Sequence, residues 1–251
     1  FWNNTGTWLV WYNDKNGHFS NDNTARIIGH GTGAIDAMMG YVDGDASADA
    51  LIVTSNGQWH LAHGVLNSTS GQTLQYSGFW KNNFGAVAYK RFLGDVTGDG
   101  RADAVIITNN SNGVGGDWHV SINTSNYGNA ETGFGTWIQG HGVNSTESFL
   151  AQIDGVGGLD AVVMTQNVPN NVYGKWFVAY SRYAPGCGVG VCFDASSASD
   201  PNHPWLHNHG YSPKLQNFAA QGYGVSNWRG FGDFDNDGKD DPVVFHNTPG
   251  E

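Results

Sequence analysis

Residues 94–107 read GDVTGDGRADAVII, a turn-rich segment followed by an apolar run. Short oxygen-bearing side chains stand at positions 95, 97, 99 and 103, and the glycines between them permit tight turns. The valine and the isoleucines that follow are typical of a buried strand. The segment therefore predicts an oxygen-lined loop that leads directly into a strand.

Three further copies of this pattern occur along the chain. Residues 232–245 read GDFDNDGKDDPVVF and keep the acidic positions, whereas residues 40–53 and 151–163 are weaker copies. The last aspartates of successive copies are 54, 57 and 81 residues apart. Self-similarity at a period of this size indicates a repeat architecture.

The repeats are predicted to be built from short strands. Glycine accounts for 37 of the 251 residues, and β-rich runs separated by turn residues predominate over any 3.6-residue period. About four short strands per repeat are typical of a β-propeller blade. We therefore predict a single all-β domain over residues 1–251, a four-bladed propeller with about four antiparallel strands in each blade.

The two ends of the chain are predicted to meet. Residues 7–12 form a strand-like segment with no loop before it, and residues 242–246 form one with no aromatic strand after it. Pairing these terminal strands would complete the fourth blade and cover exposed sheet edges. The longest spacing between repeats is explained by an insertion at about residues 184–211.

The charge balance limits the classes of partner. Acidic residues number 22 and basic residues 11, which gives a net charge of −11. This charge argues against nucleic acid and anionic membranes as partners, although it also serves plain solubility. No apolar run approaches the roughly 18 residues that a membrane helix needs, so we expect no membrane insertion.

Several features favour a secreted protein. Cys187 and Cys192 are close enough in sequence for a local disulfide, with free thiols in a cytosolic protein as the alternative. The sequence begins at Phe1 without methionine, as expected of a processed product, and no signal peptide is recognisable. Acceptor sequons for N-glycosylation occur at Asn3, Asn67, Asn109, Asn123 and Asn144.

The two complete loops predict calcium sites, because carboxylate and carbonyl oxygens suit calcium better than zinc or copper. The alternative is a metal-free turn with solvated aspartates. Calcium bound only by the folded form would stabilise it by linkage. The predicted ligands are Asp95, Thr97, Asp99, the Arg101 carbonyl and Asp103, and Asp233, Asp235, Asp237, the Lys239 carbonyl and Asp241.

The two weaker loops have fewer oxygen ligands. In the first loop, Tyr41 stands in place of the first carboxylate. In the third loop, Gln152 and Val156 replace two acidic residues, so we expect that loop to be structural and empty. The first loop offers a third, poorer calcium set: Asp43, Asp45, Ser47 and Asp49.

The quoted motifs resemble the calcium loops of FG-GAP/VCBS repeats, which build the propeller of integrin α subunits and of secreted microbial proteins. Asn82-Asn83-Phe84-Gly85 resembles the FG element of these repeats. Together with Arg91-Phe92-Leu93 and Trp118-His119-Val120-Ser121-Ile122-Asn123, it is most similar to fungal calcium-binding propeller lectins related to the Psathyrella lectin. The resemblance implies a propeller that binds carbohydrate.

Candidate ligand-binding residues lie in the links between strands. Aromatic pairs at 59/60, 118/119 and 176/177 recur with the repeat, which indicates packing between blades or sugar-stacking surfaces. In the insertion, three histidines (203, 207 and 209) are either solvent-exposed or a zinc or copper site. The residues selected as sugar ligands are His30, His141, Tyr223 and Trp228.

The resulting hypothesis is a secreted, calcium-stabilised lectin that binds a carbohydrate or glycoconjugate, with its oligomeric state left open. A polysaccharide lyase or hydrolase on the same scaffold is the second hypothesis. Glutamate occurs only at positions 131, 147 and 251, which argues against a paired-glutamate glycosidase, and no nucleophile elbow or zinc-protease motif is present. An integrin-like interaction propeller is the third hypothesis.

Overall fold

The computed structural model describes residues 6–11, 16–19, 25–67, 71–109, 115–124, 134–143, 145–167, 172–183, 191–194 and 228–245. Over these residues the regular structure consists of strands, and no helix is present, so none is long and apolar enough to cross a membrane. The all-β prediction is confirmed. The first eight strands are β1 (Trp8–Leu9), β2 (Ala25–Ile27), β3 (Ala34–Gly40), β4 (Asp49–Thr54), β5 (Trp59–Asn67), β6 (Gly71–Lys81), β7 (Lys90–Gly94) and β8 (Asp103–Asn109).

The second half of the chain continues the same alternation of short strands and turns. Its strands are β9 (Gly115–Ser121), β10 (Gly135–Ile138), β11 (Ser145–Ala151), β12 (Asp160–Asn167), β13 (Val172–Tyr183), β14 (Val191–Asp194), β15 (Trp228–Gly232) and β16 (Asp241–Phe245).

The strands form three four-stranded sheets and two two-stranded sheets within the described residues. The four-stranded orders are β3-β4-β5-β6, β10-β9-β8-β7 and β11-β12-β13-β14, so sequential strands are neighbours. The first and last of these sheets are antiparallel throughout. The prediction of four-stranded antiparallel units is therefore confirmed in outline. β1 pairs with β2, and β15 pairs with β16.

The chain divides into two compact units. Unit 1 is Phe1–Gly94, Gly100–Ile106 and Val120–Phe134, and unit 2 is Asp95–Asp99, Ile107–His119 and Gly135–Glu251. The prediction of a single domain stays a prediction, as does closure by the terminal strands. Of the predicted insertion at 184–211, only β14 lies within the described residues.

The core of unit 1 is built around Trp59 and Trp80, both fully buried. Their rings meet edge to face at 6.2 Å between centroids, a geometry that aromatic pairs favour. Leu51 and Val53 of β4 and Phe84 pack into the same cluster. The apolar run after the first loop therefore forms β4, which lies between β3 and β5 in its sheet.

The core of unit 2 follows the same plan with different side chains. Trp176 of β13 is fully buried and contacts the rings of Phe149 and Phe231 at 5.9 and 5.4 Å. Val162 and Met164 of β12 complete this cluster. Burial of such aromatic and aliphatic surface supplies most of the favourable free energy of folding.

Indole hydrogen bonds recur near the start of the aromatic strands. Trp8 Nε1 donates to the carbonyl of His30 at 2.8 Å, and Trp118 Nε1 donates to that of His141 at 2.9 Å. Trp59 Nε1 donates to the carbonyl of Phe84 at 2.7 Å. In the three repeats where they are described, the tryptophans therefore fix the link residues, which supports the packing interpretation of the periodic aromatics.

A second recurring contact joins successive repeats through the backbone. The amide of Ala102 donates to the Tyr41 carbonyl at 2.7 Å, and that of Leu159 donates to the Asp95 carbonyl at 2.7 Å. The same bond, at 2.5 Å, joins the Asp240 amide to the Gln152 carbonyl. The second, third and last loops thus each donate an amide near their end to the first position of the preceding loop.

Side chains reinforce two of these junctions. Asn123 is buried, and its amide group donates to the carbonyls of Val42 and Ala102 at 2.5 and 3.1 Å. In the next repeat, Ser181 Oγ donates to the Val96 carbonyl at 2.5 Å. The acceptor asparagine of the sequon at Asn123 is therefore enclosed in the folded protein.

Replacing Asn123 by alanine should destabilise the protein by about 1–3 kcal/mol, because two buried carbonyls lose their donor. Urea unfolding of protein made without glycosylation would measure the change. Asn109→Ala is the matched control, since Asn109 is an exposed sequon asparagine at the end of β8. Equal stability of the two variants would show that the Asn123 bridge contributes nothing.

Candidate functional site

The last loop gathers exposed carboxylates. Ligand oxygens of Asp233, Asp235 and Asp237 lie within 4.8 Å of one another. Backbone amides orient them: the amide of Gly238 donates to Asp233 Oδ2 at 3.0 Å, and that of Lys239 donates to Asp237 Oδ1 at 2.9 Å. Their mutual repulsion would be relieved by a cation.

The last loop turns sharply at its centre. Asn236 has φ +61° and Gly238 has φ +83°, and both values lie in the left-handed region that asparagine and glycine tolerate best. Asp241 is half-buried, and its Oδ2 accepts the amide of Phe234 at 3.0 Å. One predicted ligand, Asp241, thus also holds the beginning of the loop.

The closing aspartate has this structural role in other repeats as well. Asp49 Oδ2 accepts the amide of Val42 at 2.7 Å, and Asp49 Oδ1 accepts that of Gly64 at 2.9 Å. Asp160 accepts the amides of Ile153 and Ser181 at 2.9 and 2.8 Å. Both aspartates are fully buried, so each fixes the start of its loop to the third strand of its sheet.

The second loop repeats parts of this arrangement. Asp95 Oδ1 accepts the amides of Gly98 and Asp99 at 2.6 and 3.1 Å, and Thr97 Oγ1 lies 3.4 Å from the same oxygen. Asp103 is buried and accepts the amide of Asn123 at 2.8 Å. Calcium ligation by this loop stays a prediction.

The third loop is held by neutral and paired groups. Gln152 Oε1 accepts the amide of Gly155 at 3.1 Å, while Gln152 Nε2 donates to the Gly157 carbonyl at 3.2 Å. Asp154 pairs with Arg182 at 3.0 Å. Gln152, which stands in place of the first carboxylate, therefore holds this loop with one accepted and one donated hydrogen bond.

Two of the predicted sugar ligands are buried. The His30 ring lies 3.2 Å from the Ala50 carbonyl, and the His141 ring lies 3.1 Å from the Ala161 carbonyl. Burial lowers the pKa of both rings, that of His141 to about 4. These contacts give His30 and His141 a structural role, and their sugar contacts stay a prediction.

The remaining predicted positions fall largely outside the described residues. This applies to Tyr223, to the histidines at 203, 207 and 209, and to Cys187, so the disulfide with Cys192 stays a prediction. The backbone of Trp228 begins β15, and its side chain lies outside the described part.

A cavity of about 440 Å³ opens beside His30 in unit 1. Its lining includes His60 and Tyr76, whose rings are stacked with centroids 6.3 Å apart and share a 3.0 Å hydrogen bond between His60 Nδ1 and Tyr76 Oη. Tyr76 and the neighbouring Phe79 are 52% and 43% exposed. The arrangement offers apolar ring faces beside hydrogen-bonding groups.

Sequence reasoning missed two contributors to these sites, His63 and Tyr76, and also the ring of Phe79 that packs against His60. His63 lies 3.1 Å from Asp43 although 20 residues separate them. Strand pairing creates this proximity, since β5 runs back beside β4. The aromatic character of β6 was a usable signal for Tyr76 and Phe79, because both are large exposed rings on one strand.

No protein-family model matches the chain, and no curated protein matches it. The resemblance to FG-GAP/VCBS repeats accordingly depends on the loop and link motifs alone.

The stability that His141 contributes should depend on pH. Its folded-state pKa is lowered from 6.5 to about 4 by burial, so this stability is complete above pH 6.5 and is lost as the pH falls towards 4. Urea unfolding should therefore show that the free energy of unfolding of wild type falls by up to about 3 kcal/mol more than that of His141→Gln over that pH range.

Because the contribution of Asp160 to stability also changes with pH, wild type and His141→Gln must be compared at each pH. Burial raises its pKa to about 6, so its own contribution has the opposite sign and declines as the pH rises from about 4 to 6. The difference between wild type and His141→Gln isolates the histidine. A constant difference from pH 7 to pH 4 would contradict a neutral, buried ring.

Proposed function

We propose that the protein is a secreted, calcium-stabilised carbohydrate-binding protein. The observation that carries the proposal is the cavity beside His60 and Tyr76, where exposed ring faces adjoin polar groups. The apolar face of a sugar stacks on such rings, while neighbouring side chains bond its hydroxyls. The volume of about 440 Å³ is suited to a small saccharide.

Calcium at the last loop is supported by its chemistry. Asp233, Asp235 and Asp237 present hard oxygen ligands without a nearby imidazole or thiol among the described residues. Three clustered, exposed carboxylates repel one another, and a bound dication reverses that cost. The Asp95–Asp103 segment has the same sequence pattern and is the second proposed calcium site.

We also propose that the repeats close into a four-bladed propeller. Three repeats have four-stranded sheets, whereas β1-β2 and β15-β16 are two-stranded. The loop pattern lies between β15 and β16, which supports assigning them as the first two strands of a repeat, and the position of Trp8 supports assigning β1 as the third. Pairing of β16 with β1 would supply the complete fourth blade.

Hydrogen exchange tests this closure. If β16 pairs with β1, Leu9→Pro should accelerate exchange of β16 amides at least tenfold, because proline disrupts β1. Amides of β12, which has partners on both sides, serve as the internal control. Unchanged exchange in β16 alongside a disrupted β1 would exclude the closure.

Glycan-array binding should be present and weakened by a calcium chelator, and the chelator should lower the melting temperature by several degrees. Asp235→Asn should reproduce part of the thermal effect, because it removes one oxygen ligand with little change in shape. Adding calcium back should raise the melting temperature of wild type more than that of Asp235→Asn.

A variant of the cavity separates sugar binding from stability. Tyr76→Ala should reduce glycan binding at least tenfold while leaving the calcium-dependent rise in melting temperature. Leu66→Ala is its control, since Leu66 is an exposed residue of the same sheet. Release of cleaved product would contradict the binding function in favour of an enzyme, and silence of the array would contradict it in favour of a protein-interaction propeller.

A further inference from the structure

A histidine reaches the first loop from the third strand of the same sheet. His63 Nδ1 lies 3.1 Å from Asp43 Oδ2 and 3.4 Å from Asp49 Oδ1. The three ligand atoms lie within 4.8 Å of one another. The side chains of His63 and Asp43 are 20% and 22% exposed, while that of Asp49 is 0% exposed. The cluster therefore combines an imidazole with two carboxylates at the border of the interior.

Among the described residues, this combination occurs in one repeat. In each of three repeats, one amide in or just after the third strand donates to the closing aspartate. The residue just before that amide is His63 in the first repeat, and it is Ile122 and Tyr180 in the next two. The first loop also has Tyr41 where the complete loops have an aspartate. Relative to the calcium loops, it has exchanged an oxygen ligand for a nitrogen ligand.

We propose that Asp43, Asp49 and His63 form a site for a divalent transition metal of the zinc class. Imidazole nitrogen suits zinc, copper, iron and nickel, whereas calcium and magnesium prefer oxygen alone. Two ligands about 2.05 Å from a tetrahedral zinc are roughly 3.3 Å apart. The distances from His63 to the two carboxylates, 3.1 and 3.4 Å, match this requirement.

The surrounding backbone holds the buried ligand in place. Asp49 Oδ1 accepts the amide of Gly64, and its Oδ2 accepts those of Val42 and Asp43. A carboxylate has about four acceptor positions, so it can bind a metal while keeping these bonds. Such outer contacts orient a metal ligand before the ion arrives.

The site opens onto a cavity of about 430 Å³ that Asp43 and His63 line. Gln75 and Ser77 add polar groups to its wall. Three protein ligands leave the fourth position of a tetrahedral ion open to this space, as in zinc sites that bind water or an exchangeable ligand. The ligand class that fits is a small oxygen donor, such as a hydroxyl or carboxylate.

This inference does not depend on the proposed sugar binding. It replaces the third calcium site predicted for the first loop, and it leaves the last loop as a calcium site within the same chain. A zinc-only experiment without sugar therefore tests it separately from the function proposed above.

Isothermal titration of chelator-stripped protein with zinc chloride at neutral pH is the direct test. Wild type should bind one zinc ion at this site, and His63→Ala and Asp43→Asn should each weaken that binding at least tenfold. Cobalt substitution should give the visible absorption of a tetrahedral ion in wild type and lose it in His63→Ala. Calcium should not displace zinc at equal concentration.

Matched variants identify the site that is measured. Asp235→Asn occupies the position of Asp43 in the last loop and should leave zinc binding unchanged. Zinc binding that survives His63→Ala but disappears in a triple alanine variant of the histidines at 203, 207 and 209 would overturn the proposal. Absence of zinc binding by folded wild type would also overturn it, and would leave the contact between His63 and Asp43 as a purely structural one.

Discussion

The bond on which the described structure most depends is that between a buried closing aspartate and backbone amides distant in sequence. Asp49 and Asp160 each join the start of a loop to the third strand of their sheet. A buried carboxylate is costly unless its oxygens accept hydrogen bonds, and here the amides of the turn and strand supply the donors. The start of the loop is thereby held by the core.

Because the closing aspartates accept equivalent backbone amides, the loops can differ in the chemistry of their other side chains. The closing aspartate is buried in three repeats, while most of the alternating positions before it are half-buried or exposed. Exposed carboxylates collect in the last loop, glutamine hydrogen bonds replace the first carboxylate in the third, and an imidazole joins the first. One frame therefore accommodates loops whose outer groups are carboxylates, a glutamine or an imidazole.

The sequence predicted the parts of the structure that are local. The loop pattern around Asp99 and the β-branched run after it were sufficient for the strands, their repetition and the four-stranded sheets. It could not predict that His63 meets Asp43 or that Tyr76 stacks on His60, because these contacts arise from strand register. It also could not predict that the rings of His30 and His141 are buried against backbone carbonyls, because burial and carbonyl partners are tertiary properties.

The amide-to-carbonyl bonds between successive loops involve main-chain atoms alone. Such bonds do not depend on the identity of the side chain. A substitution at Ala102, Leu159 or Asp240 therefore keeps the amide donor, unless proline is introduced. A gene segment encoding one repeat would carry both halves of its attachment, a donor near the loop end and an acceptor at the loop start. Duplication or loss of a whole repeat therefore requires no new interface between repeats.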